Sequence, residues 1–203
     1  MSFLERQFFL YFHNFSHMLI SKPSQRHLFF KSKLVFCWLI LNFAFILFDV
    51  MTNAIRFLKE HNVEFEVFTY DYQLKGGARQ TAEELNVPLH NVVKTLVFCA
   101  PELDPFLVLM HGDLEVSEKE LARIIGAKEV QPCDQKTAKK WTGYVFGGTS
   151  PFGVPRKMKV YIQNSIFELD EIYINGGKQG LIVKIKPDVL KLLDYVSVDV
   201  KRR

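Results

Sequence analysis

The chain carries no G-x-G-x-x-G run, and its one Gly-Lys step, Gly177-Lys178, is followed by Gln179 where a P-loop needs serine or threonine. The familiar phosphate-cradling loops of nucleotide enzymes are thereby excluded. Cysteine is scarce as well. Cys37, Cys99 and Cys133 form no CxxC pair and no metal-ligand spacing, so they read as reduced thiols of a cytoplasmic protein, and no metal or cofactor is expected. No serine stands in a nucleophile elbow: Ser150 lies between Thr149 and Pro151 with no histidine evidently paired to it. His111, beside Gly112-Asp113, reads as a core or surface histidine, and Asp170-Glu171 as solvated carboxylates on opposite faces of a strand.

Glycine and net charge are missing from opposite ends. Residues 1–50 hold none of the 11 glycines but 11 of the 19 phenylalanines, and their five Lys/Arg against two Asp/Glu account for +3 of the formal +4. The body from Met51 onward is therefore nearly neutral, which argues against broad basic contact with nucleic acid while allowing contact with one RNA end. Leu34 to Phe48 is apolar apart from Asn42. As a helix it would reach about 22 Å, short of a hydrocarbon core of roughly 30 Å. Three readings stand for residues 1–50: sequence upstream of a working start at Met51, a membrane segment, or an unusual helix. The first is preferred, because Met51-Thr52-Asn53 before Ala54-Ile55-Arg56-Phe57-Leu58 resembles an N-terminus with a helix cap. His13 and His17, four apart, lack further ligands.

From Met51 the pattern mixes α and β. Helices are expected over Thr52–Glu60, from the capping box Thr81-Ala82-Glu83-Glu84, from Ser117-Glu118-Lys119-Glu120 to Gly126, from the cap Asp134 to Trp141, and over Asp188–Asp194 behind Pro187. Strands are expected over Val63–Tyr72, Asn91–Ala100, Phe106–His111, Glu129–Cys133, Tyr144–Phe146, Met158–Gln163, Ile166–Asn175, Leu181–Ile185 and Tyr195–Val200. About 150 residues of this kind can bury a full core.

Two features point to chemistry. On the strand from Asn91, Val92, Lys94, Leu96 and Phe98 share one face, and Val93, Thr95 and Val97 the other. A lysine there either snorkels past a strand edge or projects into a cavity where a ligand or carboxylate meets it. Thr95 is a weaker candidate for orienting water or substrate. The second feature is the run Gly147-Gly148-Thr149-Ser150-Pro151-Phe152-Gly153. Its glycines permit positive φ and close approach, and its proline stiffens it, so it reads either as an ordinary tight connection or as a rigid cradle of N–H groups for a carbonyl or phosphate oxygen.

Val93-Lys94-Thr95-Leu96, Thr142-Gly143-Tyr144 with Gly147 to Gly153, and Ile172-Tyr173-Ile174-Asn175-Gly176-Gly177-Lys178-Gln179-Gly180-Leu181 occur in order. Together they resemble the YbaK family of aminoacyl-tRNA editing domains, over Ala54 to about Val200. The resemblance implies a mixed α/β fold built on a six- or seven-stranded barrel-like sheet, with residues 1–50 as an extension that has no counterpart. It implies a deacylase of mischarged tRNA in which Lys94 is the key lysine and Gly147, Gly148, Ser150 and Gly153 surround the aminoacyl ester. Tyr70, Thr95, Thr149, Pro151, Phe152, Asn175, Gly176 and Gly177 would line the substrate. Aminoacyl-tRNA is the implied partner, at its 3′ end, with prolyl-tRNA synthetase as a second. Asn175 stands where the Cys-tRNA(Pro) type usually has serine, and Ile182 where it has an acidic residue.

Overall fold

The computed structural model describes residues 51–202. The apolar run at Leu34–Phe48, the His13/His17 pair and Cys37 lie outside the described residues.

Local signals set most elements. Helix α1, Asn53–Glu60, starts where the Thr52 hydroxyl accepts from the Ile55 N–H and buries Ala54, Ile55 and Leu58. Helix α3, Glu118–Ile125, is capped by Ser117 and closed by Gly126 in the left-handed conformation. Asp134 caps α4, Gln135–Thr142, accepting from both Lys136 and Thr137. Helix α2, Gly77–Leu85, begins four residues before the expected Thr81. The Thr81 hydroxyl bonds the Tyr70 hydroxyl at 2.8 Å instead of capping, so tertiary contact overrides the local box. The last expected helix is a 3-10 segment, Pro187–Leu192.

Eight strands form one mixed sheet: β1 Glu66–Thr69, β2 Val92–Ala100, β3 Leu103–His111, β4 Gln131–Pro132, β5 Val160–Gln163, β6 Ile172–Lys178, β7 Leu181–Ile185 and β8 Tyr195–Val198. The order is β1-β7-β6-β2-β3-β5-β8, with β4 beside β2. The sheet thus has eight strands rather than six or seven, and β1 and β8 end its path. Two expected strands are reshaped. Asn164–Glu168 is a 3-10 turn before β6, which leaves Asp170 and Glu171 ahead of that strand; Glu171 accepts from the Tyr173 hydroxyl and pairs with Lys184. Tyr144–Phe146 is loop: Gly143 takes φ +75° at the end of α4, and the Tyr144 hydroxyl donates to the Phe152 carbonyl at 2.6 Å.

The sheet separates its side chains sharply. One face carries Val93, Leu107, Leu109, Ile162, Ile174 and Val183 into a core that also takes α1, Tyr144 and Phe152. On the other, Leu96, Phe98, Val108 and Met110 pack with α3, while Val92, Tyr173, Ile182 and Tyr70 form a smaller cluster with α2.

The expectation of free cysteines is corrected. Cys99 and Cys133, 34 residues apart, are disulfide-bonded with Cα atoms 5.2 Å apart. Antiparallel pairing of β2 with β4, Cys99 opposite Gln131, brings them together. Sequence spacing has no access to that pairing.

Candidate functional site

Lys94 lies on β2 on the face of Val92. Parallel pairing sets Val92 beside Tyr173 and Val93 beside Ile174, so Lys94 and Asn175, each two residues further along, share one face of neighbouring strands. Asn175 is directly opposite Ile182 on β7. The two departures from the Cys-tRNA(Pro) pattern therefore face the same place, beside the lysine. Lys94 is half-buried, and its Nζ donates to the Leu114 carbonyl. Burial pushes its pKa below the ordinary lysine value, while Glu115 and Asp113 pull the other way.

The glycine loop divides in two. Its second half is inside the protein: Ser150 and Phe152 are fully buried, the Ser150 hydroxyl accepts from the Phe152 N–H, and Pro151 is buried with them. Gly153, φ +64°, backs onto the Asn53 carbonyl at the start of α1 and has no room for a Cβ. Ser150 to Phe152 do not face solvent, and with the half-buried Gly153 they anchor the loop. The exposed tip is Val145 to Gly147, while Gly148 is buried and Thr149 half-buried. Asn175 Nδ2 donates to the Gly147 carbonyl at 2.9 Å, and Gln179 Nε2 to the Phe146 carbonyl at 2.8 Å. Gly148 packs so closely on the β6–β7 turn that a Cβ there would come within 2.9 Å of the Gln179 nitrogen. The Thr149 hydroxyl donates to the Val145 carbonyl. Asn175 thus joins the tip to the face that bears Lys94.

The other expected residues fall as follows. Tyr70 is in the cluster with Val92 and Ile182, its N–H bonded to the Gly180 carbonyl. Burial raises its pKa against the opposing hydrogen bond from Thr81. Thr95 pairs with Leu109 and faces the main core, away from Lys94; its hydroxyl is buried without a hydrogen-bond partner. The Gly176 carbonyl accepts from the Thr52 hydroxyl, and Gly177 packs on Tyr144 and Thr52, so both tie the β6–β7 turn to the start of α1. The sequence reading missed Tyr72 and Gln179. The Tyr72 hydroxyl occupies the space a Gly147 Cβ would need. Gln179 lies in the third motif but carries no role in the sequence reading, since no local pattern announces a contact with a residue 33 positions away.

A cavity of about 240 Å³ lined by Cys99, Ala100, Pro101, Glu129 and Gln131 lies at the other end of β2. Five residues of strand, roughly 17 Å, separate it from Lys94, and it gathers none of the loop residues. Among the described residues no cluster of His, Cys, Asp or Glu could hold a metal ion, and no helix is long and apolar enough to cross a membrane.

Comparison with known proteins supplies the context. The chain is 27% identical over 140 residues to a protein of Enterococcus faecalis named "Putative Cys-tRNA(Pro)/Cys-tRNA(Cys) deacylase EbsC", covering 68% of this chain and 85% of that one. It is 37% identical over 101 residues to the proline–tRNA ligase of Ligilactobacillus salivarius, covering half of this chain but only 18% of the ligase. A crystal structure described as "a putative trans-editing enzyme for prolyl tRNA synthetase" superposes with TM-score 0.66 at 19% identity, over 75% of this chain and 99% of that one, which shows a shared fold. Residues 76–192, more than half of the chain, match the model of the aminoacyl-tRNA editing domain. That span takes in β2 with its lysine, the glycine loop and the β6–β7 turn alike, and the protein belongs to the aminoacyl-tRNA editing domain family.

Proposed function

We propose that this protein is a trans-acting aminoacyl-tRNA deacylase. It hydrolyses the ester between a wrong amino acid and the terminal ribose of tRNA, with Cys-tRNA(Pro) the first candidate and other small amino acids next. The observation that carries this reading is the shared face of Lys94 and Asn175, with Asn175 bonded to the exposed glycine tip. Similarity to proteins named for cysteinyl-tRNA deacylation and prolyl-tRNA ligation supports the substrate class.

In this reading the Lys94 ammonium leaves the Leu114 carbonyl to hold the 3′ end or the aminoacyl group. An N–H of the loop tip receives the acyl oxygen as negative charge develops, an effect worth about 3–4 kcal/mol for one well-aimed donor. Ser150, fully buried, supplies no nucleophile. The attacking oxygen comes from water, or a nucleophilic group of the substrate itself attacks first; in either case the acyl carbon–ribose oxygen bond breaks and the ribose oxygen takes a proton. Ile182, Val92, Tyr173 and Tyr70 cluster beside Lys94 and Asn175, and in this reading the space left next to them selects small side chains, a discrimination of about 1–3 kcal/mol per methylene. The near-neutral body fits a protein that takes its tRNA selectivity from a synthetase in the cytoplasm, prolyl-tRNA synthetase being the expected one.

The test is release of amino acid from Cys-, Ala- and Ser-tRNA(Pro) beside correctly charged Pro-tRNA(Pro). Release from at least one mischarged species, with Pro-tRNA(Pro) spared, is the expected result. Binding of all four with every ester left intact would replace the enzyme by a module that holds the tRNA 3′ end without catalysis.

A further inference from the structure

The loop tip lacks an apolar anchor of its own. Tyr144 and Phe152 are buried on either side of it, but Phe146 at its apex is 70% exposed, and Val145 and Gly147 are exposed as well. What fastens the apex is polar. Gln179 holds the Phe146 carbonyl, and Asn175 holds the Gly147 carbonyl while its Oδ1 accepts from the Gly177 N–H at 2.9 Å. The Gly148 N–H closes a turn on the Val145 carbonyl at 2.9 Å. In a trans peptide the carbonyl and the N–H point in opposite directions. With the Phe146 carbonyl drawn to the β6–β7 turn, the Gly147 N–H is turned away from it, and among the described residues it donates to nothing.

We propose that Gln179 is a positioning residue for deacylation, a step that rests on the proposed function above. Its amide fixes the Phe146–Gly147 peptide so that the Gly147 N–H is the donor presented to the acyl oxygen, and Asn175 fixes the next carbonyl. Gln179 is exposed and touches no reacting atom. Its contribution is to remove the freedom of a glycine peptide held at φ +79°.

The experiment uses the full chain with Gln179→Ala, Gln179→Glu and Gln179→Arg. Glutamate keeps the size but replaces the donor by an acceptor that repels the Phe146 carbonyl; arginine restores a donor. Ala and Glu are expected to lower kcat by about 10–100-fold with KM within about twofold, while Arg recovers most of the rate. Tm stays at the wild-type value in all three. In parallel, the order parameter of the Gly147 amide should drop from about 0.85 to below about 0.6 in the Glu variant. Unchanged kcat in Ala and Glu beside an active wild type would overturn the proposal. Should the wild type itself release no amino acid, the deacylase reading falls, and the Gly147 amide alone decides the clamp: a rigid amide in Gln179→Glu refutes it.

Discussion

The two faces of β2 differ in what they carry at their centre. On one, Val93, Thr95 and Val97 look into the main core, where Leu107, Leu109, Ile162 and Ile174 are fully buried. On the other, Lys94 stands between Val92 and Leu96, half-open, with Asn175 on the next strand and Tyr70 across the small cluster. The first face gives stability. The second gives up apolar burial to keep an ammonium and an amide near solvent, at a desolvation cost visible in the lowered lysine pKa. The Lys94 face also packs, through Val92 and Phe98 on either side of the lysine, so the strand holds the lysine rigidly without fully burying it.

That contrast can be broken from either side. Leu109→Ala on the closed face should lose about 2–5 kcal/mol in urea denaturation, whereas Lys94→Met should lose nothing measurable, since it exchanges a partly desolvated charge for an apolar chain of similar length. Equal losses would erase the distinction between the faces. A smaller effect concerns His111, opposite Val93 at the end of β3 and fully buried. Its Nδ1–H donates to the His90 carbonyl at 2.7 Å, so Nε2 accepts from the Ser165 hydroxyl at 2.8 Å. Burial pushes its pKa below 6.5, and stacked His90 adds to that; the His90 carbonyl, Asp113 and Glu168 oppose it. Below pH 6.5 the unfolded chain takes up a proton that the folded protein resists. Stability is therefore full above that pH and falls beneath it, by up to about 1.4 kcal/mol per pH unit. His111→Gln should flatten this part of the profile between pH 7.5 and 5; an unchanged slope would assign it to other groups.

How much of this was legible in the sequence follows the range of the interactions. Caps act within one turn, so Thr52, Ser117, Asp134 and Gly126 mark their helix ends correctly. Strand alternation is equally local, and it separates Lys94 from Thr95. Thr81 misleads because Tyr70, eleven residues earlier, claims its hydroxyl. Tyr144–Phe146 has strand composition but is drawn into a loop by the left-handed Gly143 and the Phe152 carbonyl. The loop that reads either as a tight connection or as a cradle is exposed only at its start, Gly147, and anchored beyond it, where Phe152 stacks on Phe57 and Gly153 backs onto Asn53 of α1, almost a hundred residues away. The Cys99–Cys133 bond and the Gln179 contact likewise arise only when strands pair.

Lys94 and Thr95 are neighbours in sequence on opposite faces, and together they give the most direct test of where the chemistry lies. Release of cysteine from Cys-tRNA(Pro) should be measured for the wild type, Lys94→Ala and Thr95→Val side by side. The account predicts a loss of about 100-fold or more for Lys94→Ala and a wild-type rate for Thr95→Val, whose missing hydroxyl had no partner. Full activity in Lys94→Ala, or collapse of activity in a folded Thr95→Val protein, would contradict it.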